Sequence, residues 1–287
     1  MMFTFIWLML LVYSIDSSIS QINSVFILAG QSNMAGRGGV VHETTWDGYV
    51  PPQCQSNPSI FRLNAELTWV EAAEPLHKDI DSNKTCGVGP GMAFANSVVS
   101  RDPNIGVIGL VPCAVGGTNI SEWRRGSHLY NQLMRRSNAA LGSGGRIRAL
   151  LWYQGESDTL NHQDAKLYKK RLTRLFNHLR SDLQLPSLPL IMVALASGEG
   201  PFVEVVRQAQ LGNDLPYVKL VDAKGMALET DQLHLTTVSQ VQLGHMLADA
   251  FLQRELPLPA QSRASKLPRS FVFGVLSTLI FKWILTF

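Results

Sequence analysis

Five short, mainly apolar stretches punctuate the chain, at residues 25–29, 105–111, 146–153, 189–196 and 217–222, and each gives way to glycine or polar residues. Such runs, β-branched at intervals and without strict alternation, suit strands buried on both faces. Between them the apolar spacing becomes helical. It is clearest over 163–183, where Leu172, Leu175, Phe176 and Leu179 form one stripe with Lys169, Lys170, Arg171, Arg174 and Arg180 mostly off it. That basic run reads as a solvated face. Helices are also predicted over 92–100, 128–140, 201–212 and 237–253, the last with Thr236 or Thr237 as its cap. Strand and helix alternate, which predicts an α/β fold with a mostly parallel five-stranded sheet covered on both faces. Residues 38–86 break the rhythm, with Pro51-Pro52 and a polar alternation at 67–70. They read as long loops carrying a small hairpin, an insertion of the kind that shapes a substrate cleft.

The polar loops all follow strands, so a parallel sheet gathers them at one end. After the first strand comes Gly30-Gln-Ser-Asn-Met-Ala-Gly36. A serine on a glycine-permitted turn before a helix can offer its hydroxyl to a ligand, and the N–H groups there can bind an oxyanion. Ser32 could equally be a plain helix cap. The residue two after it is Met34, so this is not the Gly-x-Ser-x-Gly elbow of the α/β-hydrolases. After the second strand, Gly116-Gly117 lets backbone approach a ligand closely, or is a simple β-to-α turn. After the third comes Gln154-Gly-Glu-Ser-Asp158, whose Gln154 amide could donate to an oxyanion. Ser157 is a rival nucleophile, less suited because Glu156 and Asp158 beside it oppose an alkoxide. Asn33, Gly116 and Glu156, on the same loops, are candidate substrate contacts. Near the far end lies Asp231-Gln-Leu-His234, ahead of the last helix. An Asp holding one imidazole nitrogen leaves the other free to take a proton from a serine.

Composition narrows the field. A net charge of +3 over 287 residues favours neither nucleic acid nor strongly acidic partners. Residues 3–13 are almost wholly apolar and Ser18-Ile-Ser20 offers a cleavage site, which predicts a signal peptide over 1–20 and a secreted or cell-surface destination. An uncleaved anchor is the rival. Residues 258–287 read as a linker plus an apolar tail, the pattern of a lipid-anchor signal, with a membrane anchor or a packed helix as alternatives. Of three cysteines, Cys54 and Cys86 are the expected bridge and Cys113 a buried thiol. No set of residues has metal-ligand spacing, and no cofactor is expected. Asn83-Lys-Thr85 and Asn119-Ile-Ser121 match the glycosylation motif.

Taken together, Gly30-Gln-Ser-Asn-Met-Ala-Gly36, Val111-Pro-Cys-Ala-Val-Gly-Gly-Thr118, Trp152-Tyr-Gln-Gly-Glu-Ser-Asp158 and Asp231-Gln-Leu-His234 resemble the SGNH (GDSL-like) hydrolases. Among these the chain looks most like the carbohydrate esterases that include sialate O-acetylesterases, acetyl xylan esterases and plant relatives. The resemblance spans about residues 24–252, inside a domain over 21–257. It implies a three-layer α/β/α fold with Ser32 as nucleophile, His234 as base and Asp231 as its orienting partner. It also implies oxyanion donors at Ser32, Gly117 and Gln154, the last where the superfamily carries asparagine. The implied substrate is an O-acetylated carbohydrate. An esterase of lipid or other small esters, favoured by a long apolar groove near Trp123 and Trp152, is one rival. A carbohydrate-binding protein with a vestigial site is another.

Overall fold

A computed structural model describes residues 21–253, so the expected signal peptide and the tail from 258 lie outside the described residues. In chain order the strands are β1 (Ser24–Gly30), β2 (Val40–Val41), β3 (Thr45–Trp46), β4 (Ile60–Leu63), β5 (Trp69–Glu71), β6 (Ile108–Pro112), β7 (Arg146–Tyr153), β8 (Leu190–Ala194) and β9 (Val218–Asp222). The α-helices are α1 (Ser32–Ala35), α2 (Pro90–Arg101), α3 (His128–Gly142), α4 (His162–Asp182), α5 (Val203–Leu211) and α6 (Thr237–Leu252). The five stretches form β1, β6, β7, β8 and β9, with ends moved by up to three residues; β9 is an edge strand and only partly buried, not covered on both faces as expected. Thr236, not Thr237, caps α6, its side chain accepting from the Ser239 N–H.

Seven strands form one sheet in the order β5-β4-β6-β1-β7-β8-β9. Within this sheet only the β4–β5 pair is antiparallel, and β2 and β3 form a separate antiparallel ribbon. The two strands beyond the expected five come from the irregular insertion. Its hairpin pairs Phe61 with Glu71 and Leu63 with Trp69, and β4 then adds in parallel to β6. Four- and three-residue strands at a sheet edge need no continuous apolar run, so the pattern there is too short to read. Trp69 covers Gly109 of β6, where a Cβ would come within 2.6 Å of the indole ring.

β1 is the middle strand, buried at every residue and flanked by β6 and β7. On one side the chain lays down β4 and β5 at the edge and then β6 beside β1, after which it crosses to build β7, β8 and β9 on the other. That reversal opens a crevice at the carboxyl end of β1, where parallel sheets bind ligands. Helices cover both faces. On one, Phe26 of β1 meets Phe94 of α2 and Phe251 of α6, each with ring centroids 4.9 Å apart. Gly244 lets α6 lie close on α2, since a Cβ there would stand 2.6 Å from the Ala93 Cβ. On the other face, Trp152 of β7 packs edge-on between Trp123 and Phe176 of α4. Both tryptophans are fully buried, so neither lines a groove.

The expected Cys54–Cys86 bridge is not formed. Cys54, Cys86 and Cys113 are all free and buried. Cys54 lies in the 3-10 turn Pro52–Cys54, whereas Cys86 accepts from Arg37 Nη1 at 3.5 Å. Burial pushes the Cys54 thiol up to about 12 and the Cys86 thiol to about 11. Among the described residues no helix is long and apolar enough to cross a membrane.

Candidate active site

Four loops at the carboxyl ends of β1, β6, β7 and β9 frame the site, the third from behind, and Glu199 of the loop after β8 joins the cavity wall. The first begins at Gly30, whose φ of +135° and approach to the Tyr153 carbonyl exclude any Cβ. Gln31 then places Ser32 at the start of α1, where Ser32 is 4% exposed. Ser32 does not cap this helix, because the cap position is Gln31. The Gln31 side chain instead accepts from the Gly155 N–H at 3.1 Å, tying the third loop to the first.

The second loop is laced to β1 by Cys113 N–H to Leu28 O and Val115 N–H to Gly30 O. Its Gly116 N–H donates to Asp81 Oδ2 at 3.1 Å, and the same carboxylate oxygen pairs with Arg37 Nη2. A Cβ on Gly116 would lie 2.6 Å from Arg37 Nη2 and 3.4 Å from the Ser32 Cβ, so this loop passes directly beside the serine. Gly117 sits at a φ of +71° with open space around it. Among the described residues the N–H groups of Ser32 and Gly117 have no acceptor. Gly116, by contrast, has its N–H occupied.

The fourth loop carries Asp231 and His234. Asp231 Oδ1 accepts from the N–H groups of Leu233 and His234, each at 2.9 Å, and its Oδ2 lies 2.6 Å from His234 Nδ1. These bonds make a tight turn, not the helical turn that spacing of three suggests. A carboxylate offers only acceptors, so Nδ1 is the donor in this contact, and in a neutral imidazole Nε2 is then the nitrogen that can accept a proton. Burial raises the Asp231 carboxyl, but the His234 and Leu233 N–H groups and the imidazole outweigh it, and the net pKa falls below the ordinary value. Asp231 therefore stays ionised at neutral pH.

Ser32, Gly116, Gly117, Asp231 and His234 line one cavity of about 250 Å³. Three other expected site residues do not reach it. Gln154 is fully buried, and its Nε2 is held by Asp158 Oδ2 at 2.7 Å, Thr118 O at 2.9 Å and Gln31 Oε1 at 3.3 Å. An amide committed to three inward acceptors has no N–H left for an oxyanion, and its effect is to brace the Gly117 loop through Thr118. Asn33 and Glu156 are equally buried and bond to each other, Asn33 Nδ2 donating to Glu156 Oε1 at 2.8 Å. Neither lines the cavity. Burial pushes the Glu156 and Asp158 carboxyls up to about 7 each, so both are largely neutral below that pH. Ser157 donates to Glu199 Oε1 at 2.7 Å, and among the described residues no histidine is a hydrogen-bond partner of its side chain. The Arg37–Asp81 pair has no sequence signal, because its partners sit 44 positions apart on irregular loops. Among the described residues no cluster of His, Cys, Asp and Glu is placed to hold a metal ion.

This arrangement can be set beside known proteins. A family model described as carbohydrate esterase, sialic acid-specific acetylesterase matches residues 22–253. The chain belongs to this family. It is thus a carbohydrate esterase, hydrolysing O-acetyl esters of carbohydrates. It is 57% identical over 236 residues to the Arabidopsis thaliana protein named "Probable carbohydrate esterase At4g34215", covering 80% of this chain and 90% of that one. The X-ray structure of the Arabidopsis thaliana protein AT4G34215 matches with a TM-score of 0.78 at 56% identity, covering 80% of this chain and 98% of that chain. NanS matches at 16% identity over 81% of this chain and 97% of its own, with a TM-score of 0.65, which supports the fold alone.

Proposed function

We propose that this carbohydrate esterase works through an acyl-serine intermediate, with Ser32 as nucleophile, His234 as general base and Asp231 as its orienting partner. The observation that carries the reading is the 2.6 Å contact of Asp231 Oδ2 with His234 Nδ1, on the wall of the cavity that Ser32 also lines. Ser32 Oγ attacks the acetyl carbonyl while His234 Nε2 takes its proton. The carbonyl oxygen becomes an oxyanion and rests on the free N–H groups of Ser32 and Gly117. Collapse expels the sugar oxygen, which takes the proton from His234. Water, deprotonated by the same imidazole, then attacks the acetyl-serine and releases acetate. Gln154 drops out as a direct donor and Gly116 serves as spacer between the Asp81 anchor and Gly117.

The cavity's charge bears on the sugar. Glu43, Glu199, Glu229 and Asp231 line it against Lys84 and Arg37, and Asp81 offsets the Arg37 charge. A negative cavity repels anionic sugars and admits neutral ones. The reading is therefore an esterase of neutral acetylated sugars, and the buried state of Trp123 and Trp152 speaks against a lipid groove.

The test is acetate release from an aryl acetate, acetylated xylan and an O-acetylated sialic acid. Ser32→Ala and His234→Ala are expected to lose at least about a thousandfold in kcat, and Ser157→Ala to stay within about threefold. Turnover surviving in Ser32→Ala would remove the triad. Faster release from the sialic acid would remove the neutral-sugar preference.

A further inference from the structure

The Asp231–His234 contact is local, spanning three positions, and sets only how the imidazole is turned. Nothing in it fixes how far the ring stands from Ser32, about two hundred residues earlier. We propose that Asn33 is the positioning residue that sets this distance, an inference that rests on the triad reading above. Asn33 follows Ser32 in α1 and is fully buried. Its Oδ1 accepts from the Leu235 N–H at 2.9 Å and its Nδ2 donates to the Leu233 carbonyl at 3.3 Å. One side chain thus grips the backbone on both sides of His234. The second Nδ2 hydrogen goes to Glu156 Oε1 at 2.8 Å, which anchors the amide to the loop after β7. Two further bonds stiffen the assembly. Gln240 Nε2 of α6 donates to the Asn33 carbonyl at 3.1 Å, and Ser197 Oγ donates to the Leu233 carbonyl.

The chemistry of the side chain follows from these partners. Two donors and an acceptor must come from one short group, and only an amide supplies both. Aspartate would keep the Leu235 acceptor, lose both donations and face the Glu156 carboxyl. Proton transfer needs Ser32 Oγ and His234 Nε2 within about 3 Å. A misplacement of about 1 Å can cost on the order of a hundredfold. The residue next to the nucleophile is therefore spent on holding the base, and not on substrate.

Steady-state kinetics and thermal unfolding of the full-length protein test this, on the aryl acetate. Asn33→Ala and Asn33→Asp are expected to lower kcat about a hundredfold with KM within about twofold. Glu156→Leu removes only the far anchor and should lower kcat about tenfold. Glu156→Gln, whose amide oxygen still accepts from Asn33, should recover to within about threefold of wild type. A raised KM with kcat kept would make Asn33 a substrate contact and overturn the proposal. So would a lowered melting temperature with kcat per folded molecule unchanged, the mark of a structural residue. If Asn33→Ala does not fold, the Glu156→Leu and Glu156→Gln pair decides: equal kcat in both would refute the clamp. Wild-type turnover that persists in Ser32→Ala removes the triad reading and the proposal with it. Normal triad variants with unaffected Asn33 variants remove the proposal alone.

Discussion

Glu156 offers a quantitative check on the buried loop cluster behind Ser32. Burial lifts its carboxyl from 4.5 to about 7, against the lowering effect of the Asn33 donation. The native state thus holds the proton more tightly than the unfolded chain does. The protonated acid's contribution is complete below pH 4.5 and is lost as pH rises through about 7. At about 1.4 kcal/mol per pKa unit, the loss attributable to Glu156 between pH 4.5 and 8 is about 3 kcal/mol. Glu156→Gln cannot titrate, so this loss is absent from it. Its new NH2 replaces an oxygen, Oε2, that has no partner among the described residues. That adds a penalty of about 1–3 kcal/mol, the same at every pH. Urea unfolding of both proteins at pH 4.5, 6, 7 and 8 gives the difference in stability directly. The variant should gain on wild type by about 3 kcal/mol across the range, most of it between pH 5 and 7.5. Asp158, raised in parallel to about 7, is present in both and cancels apart from its repulsion of Glu156. A difference that stays flat with pH would refute the claim that Glu156 is a desolvated acid.

Other outcomes follow from single contacts. Gly116→Ala drives a Cβ to 2.6 Å from Arg37 Nη2 and 3.1 Å from Asp81 Oδ2; displacement of the Gly117 loop should lower kcat by about tenfold to a hundredfold, read in the aryl acetate assay. Gly244→Ala crowds α6 against the Ala93 Cβ and the Pro90 carbonyl, both at 2.6 Å; it should cost about 1–3 kcal/mol in urea unfolding with kcat unchanged. Thiol titration without reductant should count three thiols in the unfolded protein, and a count of one would restore the Cys54–Cys86 bridge. If the chain enters the secretory pathway, Asn83, which is exposed, should carry a glycan. Asn119 should not, because its side chain caps the turn Ile120–Trp123. A mobility shift on deglycosylation lost in Asn83→Gln and kept in Asn119→Gln is the expected pattern.

What the sequence determined by itself is whatever depends on neighbours along the chain. Strands buried on both faces must be apolar throughout, so β1, β6, β8 and the second half of β7 are legible with their parallel sense; β9, at the sheet edge with Leu220 and Asp222 exposed, is legible from its place in the strand–helix alternation. The polar loops after them have to share one end of the sheet, and this alone brings Ser32, Gly117 and the Asp231-to-His234 turn together. The Asp231–His234 contact is readable because both partners lie in one turn. Tertiary structure decided everything that hangs on distant pairs. The β4–β5 hairpin joins the sheet because β6 offers an open edge, a fact no local pattern in 56–71 carries. Gln154 looks like an oxyanion donor by position, yet its partners Thr118 and Asp158 turn it inward. Loop content pairs Cys54 with Cys86, whereas packing buries them unbridged. Asn33 reads as a substrate contact because it follows the serine; its real partners, Leu233 and Leu235, are 200 and 202 positions away. A polar side chain's role is set by which donors and acceptors surround it once water is excluded, and only the packed fold supplies those neighbours.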